Sequence, residues 1–295
     1  MESLIEYRSL NNYLKEKYGE KVYKLSLSCS VSCPNRDGKC GVGGCVFCAE
    51  GSGAFAGDFR APIEEQLETA KALVKEKTKS HKFIAYFQSF TSTYGDLGCI
   101  EECLLSAANH SEIVAISVAT RPDCMGDDVM EMLCRINLIK PVTVELGLQS
   151  IHESTAKFIN RGYPLAVYDS ALKKLKSAGI EVVTHVILGL PYETEEMMLE
   201  TVKYVADSSS DGIKLQLLHV LKGTKLAELY ERGEVRTLEF DEYIGLLKKC
   251  VALLPPRMVV HRLTGDGDKK RLIAPLWSAD KRRVLNEISR HLKPI

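Results

Sequence analysis

Apolar and polar residues alternate through residues 22–29, VYKLSLSC, and the run ends in a cysteine-rich loop, which predicts a strand entering a functional loop. Five further strand-like runs follow: FIAYFQ at 83–88, IVAISVA at 113–119, VTVELGLQ at 142–149, VVTHVILGL at 182–190 and GIKLQLLHVL at 212–221. Each is apolar enough for burial on both faces, as parallel strands require. Helical patterns lie between them at 64–78, 127–136, 166–179 and 194–207. This alternation, at a pitch of about thirty residues after the first unit, is the signature of repeated βαβ crossovers and a parallel sheet. Six units are too few to close an eight-stranded barrel. The expected fold is therefore α/β, a partial (β/α)6 TIM-like barrel over residues 1–225, followed at 226–295 by a C-terminal α/β extension with a basic helix. Ligands of such sheets bind at the carboxyl ends of the strands. The chemically unusual residues fall there: Cys33 to Cys48, Gln88 and Ser89, Thr120 and Arg121, Gln149, Gly189, and Lys222.

With 45% hydrophobic and 26% charged residues, the 295-residue chain has the makings of a sizeable core. No apolar run approaches the roughly 20 residues that span a bilayer, so membrane proteins and disordered chains are excluded and no membrane partner is expected. The amino-terminal stretch is charged throughout and lacks the apolar core of a secretion signal, which points to the cytoplasm. Formal charge is zero, 39 basic against 39 acidic residues, but from residue 251 onward ten Lys or Arg face four acids. That end of the chain could attract phosphates.

Five of the ten cysteines, Cys29, Cys33, Cys40, Cys45 and Cys48, crowd into one short stretch. In a reducing compartment clustered thiols point to metal binding or catalysis before disulfides. Cys45 and Cys48 have the C-x-x-C spacing that lets two thiolates reach one centre, with a third ligand from Cys33, Cys40 or Cys29. Four thiolates on zinc would make an inert structural site, whereas three on a [4Fe–4S] cluster would leave one iron open to a ligand. Spacing alone leaves both open.

The run CPNRDG…GGCVFC, with Cys33, Cys45 and Cys48 at C-x11-C-x2-C, resembles the cluster loop of the radical S-adenosylmethionine (SAM) enzymes, in their short, single-domain Elp3-like subgroup. Most of that superfamily has C-x3-C-x2-C, and the long first gap narrows the subgroup. YFQSFTSTYG, VELGLQS followed by NRG, and HVILGLP resemble further blocks of the subgroup in the same order, so the likeness covers roughly residues 20–225. The resemblance implies a [4Fe–4S] cluster held by Cys33, Cys45 and Cys48. It implies that SAM chelates the open iron and, on one-electron reduction, yields a 5′-deoxyadenosyl radical that takes a hydrogen from the substrate. It also implies a reducing protein partner such as a flavodoxin or ferredoxin. The cofactor contacts it implies are Phe47 beside the adenine, Arg161 on the SAM carboxylate, and Glu145 and Gln149 toward the ribose or methionine end. Gln88 and Ser89 stand where many relatives carry glycines facing the SAM amino group, Thr120 follows the third run, and Gly189 allows close approach to the adenine.

Outside these blocks, His219 at the end of the sixth run and Lys222 just after it are the catalytic candidates, although an apolar-flanked histidine is more often a satisfied core residue. Cys99, Cys103, Cys134 and Cys250 fit small buried apolar residues. The tail, DKKRLIAPLW and then DKRRVLNEISRHLK, is either a solvated helix face or a phosphate footprint. In the second case His261, Arg262, Lys269 and Lys270 would bind substrate and Trp277 would offer an aromatic surface. By resemblance the substrate is tRNA, and the reaction trims or rebuilds the carboxymethylaminomethyl group on its wobble uridine. The competing readings are a radical SAM enzyme acting on a small metabolite or a peptide, and a zinc-stabilised binding module without chemistry.

Overall fold

The computed structural model describes residues 4–49, 57–77, 80–265 and 267–295. The chain opens with β1 (Ile5–Tyr7) and α1 (Leu10–Tyr18). The Ser9 side chain starts this helix by accepting from the Asn12 N–H, and Gly19, left-handed at φ 79°, ends it. Strands and helices then alternate: β2 (Tyr23–Leu27), α2 (Ile63–Val74), β3 (Phe83–Phe87), α3 (Leu97–Asn109), β4 (Ile113–Thr120), α4 (Asp127–Ile139), β5 (Val142–Gln149), α5 (Glu153–Phe158), α6 (Leu165–Ser177), β6 (Glu181–Leu188), α7 (Glu195–Asp207) and β7 (Gly212–Leu217). The remainder holds β8 (Val220–Leu221), α8 (Lys225–Glu231), α9 (Phe240–Ala252), β9 (Val259–Arg262), β10 (Leu272–Ala274), α10 (Lys281–His291) and β11 (Leu292–Pro294). The helix expected at 64–78 has its last position outside the described residues.

The main sheet is parallel in the order β2-β3-β4-β5-β6-β7-β9, a curled half-barrel of seven strands. Its seventh strand comes from the stretch expected to form the extension, with Val259 opposite Gly212. A four-residue strand is too short to announce itself by periodicity. Helix α3 also lies outside the sequence-based reading. Asp96 caps it, and Ile100, Leu104, Ala107 and Ala108 supply its buried face.

The strands are largely buried on both faces, as expected, but the two faces differ in character. Leu25 and Leu27, Phe83 and Phe87, Val144, Leu146 and Leu148, Val182 and Val186, Ile213 and Leu215 point outward into the core beneath the helices. The alternate residues Lys24, Tyr86, Glu145, His185, Lys214 and Gln216 point inward and line a cavity. Period-two alternation is what a strand shows when its faces meet different surroundings. Helix α1 plugs the amino-terminal end of the barrel, where Leu14 packs with Val22, Ile84 and Ala115. Tyr13 and Lys17 fix the plug by donating to Glu181 at 2.7 and 2.6 Å. Strands β1 and β11 pair in parallel, so the ends of the chain meet. Among the described residues no helix is long and apolar enough to cross a membrane.

Candidate active site

The loop after β2 brings Cys33, Cys45 and Cys48 to one cavity of about 710 Å³ that descends into the barrel. Hydrogen bonds tie this loop to its neighbours on both sides. Toward β3, Thr91 N–H donates to the Ser32 carbonyl and Ser32 N–H to the Tyr94 carbonyl, each at 3.1 Å. Toward α5, Asn35 Nδ2 donates to the Asn160 carbonyl at 2.6 Å, and Asn160 Nδ2 donates to the Gly44 carbonyl at 2.9 Å. Arg36 closes the loop on itself by donating to the carbonyls of Cys48 and Ala49 at 2.8 and 2.9 Å. The block Asn160-Arg161-Gly162 thus has three roles: Asn160 holds the cysteine loop, Arg161 faces the cavity, and Gly162 makes room. Gly162 is left-handed at φ +83°, and a Cβ there would stand 3.3 Å from both Arg121 Nη2 and Asn35 Oδ1.

The three thiols share one electrostatic environment. Burial pushes the Cys45 thiol up to about 12, the Cys48 and Cys33 sulfurs add to the rise, and Arg121 opposes it. Three soft donors in one cavity suit an iron–sulfur cluster or zinc. A lone zinc needs its thiolates roughly 3.8 Å apart, the tetrahedral spacing for 2.3 Å bonds. Among the described residues no cysteine trio lies within 4.8 Å, the only close set of three being Glu68, His110 and Glu112. Cys29 is buried and hydrogen-bonded to Cys103, and Cys40 is exposed; neither lines the cavity.

Arg161 is fully buried in the cavity wall. Its Nε donates to the Tyr163 carbonyl at 3.0 Å, and its Nη1 to the carbonyls of Leu148 and Ser150 at 3.0 and 2.6 Å. Its Nη2 has no hydrogen-bond partner, with the nearest Glu153 oxygen 3.7 Å away. A buried guanidinium N–H left unmatched costs on the order of 1–3 kcal/mol, and a ligand carboxylate would satisfy it in the planar geometry that guanidinium prefers. Arg161 and Arg121 also face the Tyr163 ring, at 4.8 and 4.9 Å from its centroid. The residues present therefore fit both the cluster and SAM.

Of the other expected cofactor contacts, Phe47, Gln88, Thr120 and Gln149 line the cavity. Gln88 Nε2 donates to Ser26 Oγ at 3.0 Å, and Thr120 Oγ1 lies 2.6 Å from Thr93 Oγ1. Gln149 is left-handed at φ 65° and accepts from the Tyr163 hydroxyl at 3.3 Å. Gly147, two residues before it, leaves room for this side chain, since a Cβ there would meet Gln149 Nε2 at 2.6 Å. Ser89 is buried without lining the cavity, and Gly189 lines a separate cleft with Pro191 and Leu238.

Glu145 lies deeper than its expected cofactor role requires, and protein donors occupy both its oxygens. Oε1 accepts from Lys24 Nζ at 2.6 Å and Ser117 Oγ at 3.1 Å. Oε2 accepts from the Tyr86 hydroxyl at 2.7 Å, His185 Nε2 at 3.0 Å and Lys214 Nζ. Burial opposes the charge of Glu145, yet Lys214 and Lys24, then His185, hold its carboxyl well below the usual carboxylate range. Burial lowers Lys214 to about 7 against the pull of Glu145, and burial with Lys214 lowers His185 to about 4, so His185 is neutral. Sequence reading missed Lys24, Tyr86, His185, Lys214 and Gln216. The available signal was an isolated polar residue at an inward-facing position of each largely apolar run.

The remaining candidates divide. His261 and Arg262 on β9 line the cavity, whereas Lys269 and Lys270 are exposed outside it. Trp277 is no open stacking platform: its indole N–H donates to the Leu238 carbonyl at 3.0 Å, and its ring packs 5.3 Å from Phe240 and 5.5 Å from Tyr243. The catalytic candidates fall outside the cavity as well. His219 is buried, with Nε2 3.1 Å from Ser278 Oγ, and its ring fills the space over Gly265, where a Cβ would come within 2.4 Å. Lys222 is exposed in the turn after β8.

Comparison with known proteins agrees with this geometry. The chain is 44% identical over 288 residues to protein YtqA of Bacillus subtilis, covering 97% of this chain and 89% of the relative. Over 189 residues it is 28% identical to elongator complex protein 3 of Schizosaccharomyces pombe, covering 63% of this chain but 34% of that longer protein. In three dimensions it is similar to the archaeal Methanocaldococcus infernus Elp3, with a TM-score of 0.66 at 17% identity over 89% of this chain and 63% of that structure. The chain thus spans less than two thirds of that Elp3. Residues 30–205 match the Radical SAM superfamily and residues 210–294 its C-terminal domain. The chain therefore belongs to the radical SAM superfamily, whose cofactors are SAM and a [4Fe–4S] cluster.

Proposed function

We propose that this protein is a radical SAM enzyme that modifies tRNA, at the side chain of a wobble uridine such as the carboxymethylaminomethyl group. The observation that carries this reading is the single cavity joining the three thiols to a polar barrel floor, in a chain whose carboxyl-terminal region exposes Lys269, Lys270, Lys281, Arg282, Arg283 and Arg290. When bound, the cluster and SAM supply one-electron cleavage of SAM and a radical able to take hydrogen from an unactivated carbon. The chain supplies the surroundings. Cys33, Cys45 and Cys48 hold the cluster, the Nη2 of Arg161 takes the SAM carboxylate, and Phe47 offers an apolar face to the adenine. The α1 plug shuts bulk water out from below. The exposed cations meet the phosphates of the nucleic acid. A reducing protein delivers the electron.

The test compares the modified nucleosides of tRNA from cells with and without the gene, and measures tRNA binding by anaerobically purified protein as salt rises. Loss or gain of one wobble nucleoside and a steep fall in affinity with salt support the reading. Unchanged nucleosides overturn it. The cavity volume of about 710 Å³, in the range of small-molecule sites, favours a small metabolite as the second reading. In that case SAM cleavage would respond to the small molecule and not to tRNA.

A further inference from the structure

The floor of the barrel carries more cationic donors than protein acceptors. Lys24, Lys214 and Arg262 stand against one carboxylate, Glu145, whose two oxygens already take five donors. Arg262 has one long hydrogen bond, from Nη1 to Gln216 Oε1 at 3.3 Å, so most of its guanidinium fork faces the cavity unmatched. The neighbouring His261 keeps a buried Nδ1 without a partner. The pairing of strands puts Arg262 beside Lys214 and Lys214 beside His185, so these groups form one layer. That layer is distinct from the cofactor end. Glu145 lies four residues before Gln149 on β5, roughly 13 Å at 3.3 Å per residue, whereas Arg161 binds the carbonyls of Leu148 and Ser150 at the top of the strand.

A pocket whose positive groups outnumber its carboxylates attracts an anion. A planar guanidinium fork matches the two oxygens of a carboxylate. We infer that the barrel floor, with Arg262 as its principal donor and Lys24 and Lys214 beside it, seats a carboxylate at the reacting end of the substrate. The inference deepens the tRNA reading and rests on it for the identity of the molecule, since the carboxymethylaminomethyl group ends in a carboxylate. The seat itself requires only the anion. Lys214, lowered to about 7 by burial, would regain its full charge when an anion arrives, strengthening the contact.

The experiment is calorimetric titration of the cluster-loaded, SAM-bound full chain with paired probes: 5-carboxymethylaminomethyluridine and its carboxamide, N-acetylglycine and its amide, and inorganic phosphate. Each acid is expected to bind at least about tenfold more tightly than its amide. In Arg262→Gln that ratio should collapse toward one while affinity for the amides stays unchanged. Lys24→Gln, at a partly exposed position, gives the same readout should Arg262→Gln fail to fold. If the N-acetylglycine pair shows the preference while nucleoside and tRNA do not bind, the carboxylate seat stands and the tRNA reading falls. Equal binding of acid and amide, stronger binding of phosphate, or no binding of any acid at millimolar concentration overturns the seat.

Discussion

Replacing Glu145 by Gln removes the only carboxylate among the described residues of the barrel floor and keeps its shape. The amide has one donor end and one acceptor end, while both carboxylate oxygens now receive ammonium protons, Oε1 from Lys24 and Oε2 from Lys214. Whichever way the amide turns, an NH2 group faces an ammonium. Tyr86, Ser117 and His185 can exchange donor for acceptor roles by rotating a hydroxyl or changing tautomer, but an ammonium cannot. Losing one partner of a buried ion pair costs about 3–5 kcal/mol. The lower end applies, because Lys24 keeps 19% of its side chain exposed and can turn to water. We expect a loss of about 3 kcal/mol, some hundredfold in the folding equilibrium. Urea unfolding at pH 5.5, below the lowered titration of Lys214 so that its ammonium is charged, with an unchanged m-value measures it. Adding Lys214→Met in the variant background removes the stranded charge and should recover at least half of the loss. A Glu145→Gln protein within about 0.5 kcal/mol of wild type, or a double variant weaker than the single, would refute the buried network.

Cys45→Ala should lose the bound iron and its visible absorption, while Cys40→Ala, at an exposed position off the cavity, should retain about the four irons of the wild-type cluster by iron assay. Arg161→Lys keeps the charge but loses the fork, and should weaken SAM about ten- to hundredfold by equilibrium dialysis; unaltered affinity would remove Arg161 from the SAM site. Stability should fall as pH drops from about 6.5 to about 4, because the unfolded chain protonates His185 across that window while the folded chain holds it neutral. His185→Gln should show a shallower slope of thermal midpoint against pH there, and identical slopes would contradict the assignment. From pH 7 toward 10.5 the sign is the same: folded Lys214 has released a proton that the unfolded chain keeps, so stability rises with pH.

The repeated strand–helix alternation is a local fact of the sequence, and it determines the α/β class and the carboxyl-end position of the site. The spacing of Cys33, Cys45 and Cys48 in the cysteine-rich loop leaves iron–sulfur and zinc both open, and only the resemblance of the surrounding blocks chooses between them. Arg161, Gln149 and Phe47 could be placed beside that loop because they stand at strand ends or within recognisable blocks. Four-residue β9 could not be placed, since its partner β7 lies some forty residues earlier and only the closing of the sheet selects it. His219, Lys222 and Trp277 have the right chemistry in the right stretch, but the turn after β7 and the packing of α9 carry them away from the cavity. The layer of Lys24, Tyr86, Glu145, His185 and Lys214 is the clearest case. Each is a polar residue in a largely apolar strand, separated from the others by up to 190 positions. Periodicity tells which face each occupies, but only the curl of the sheet, bringing the inner faces of β2 and β7 within reach of one carboxylate on β5, makes them a site.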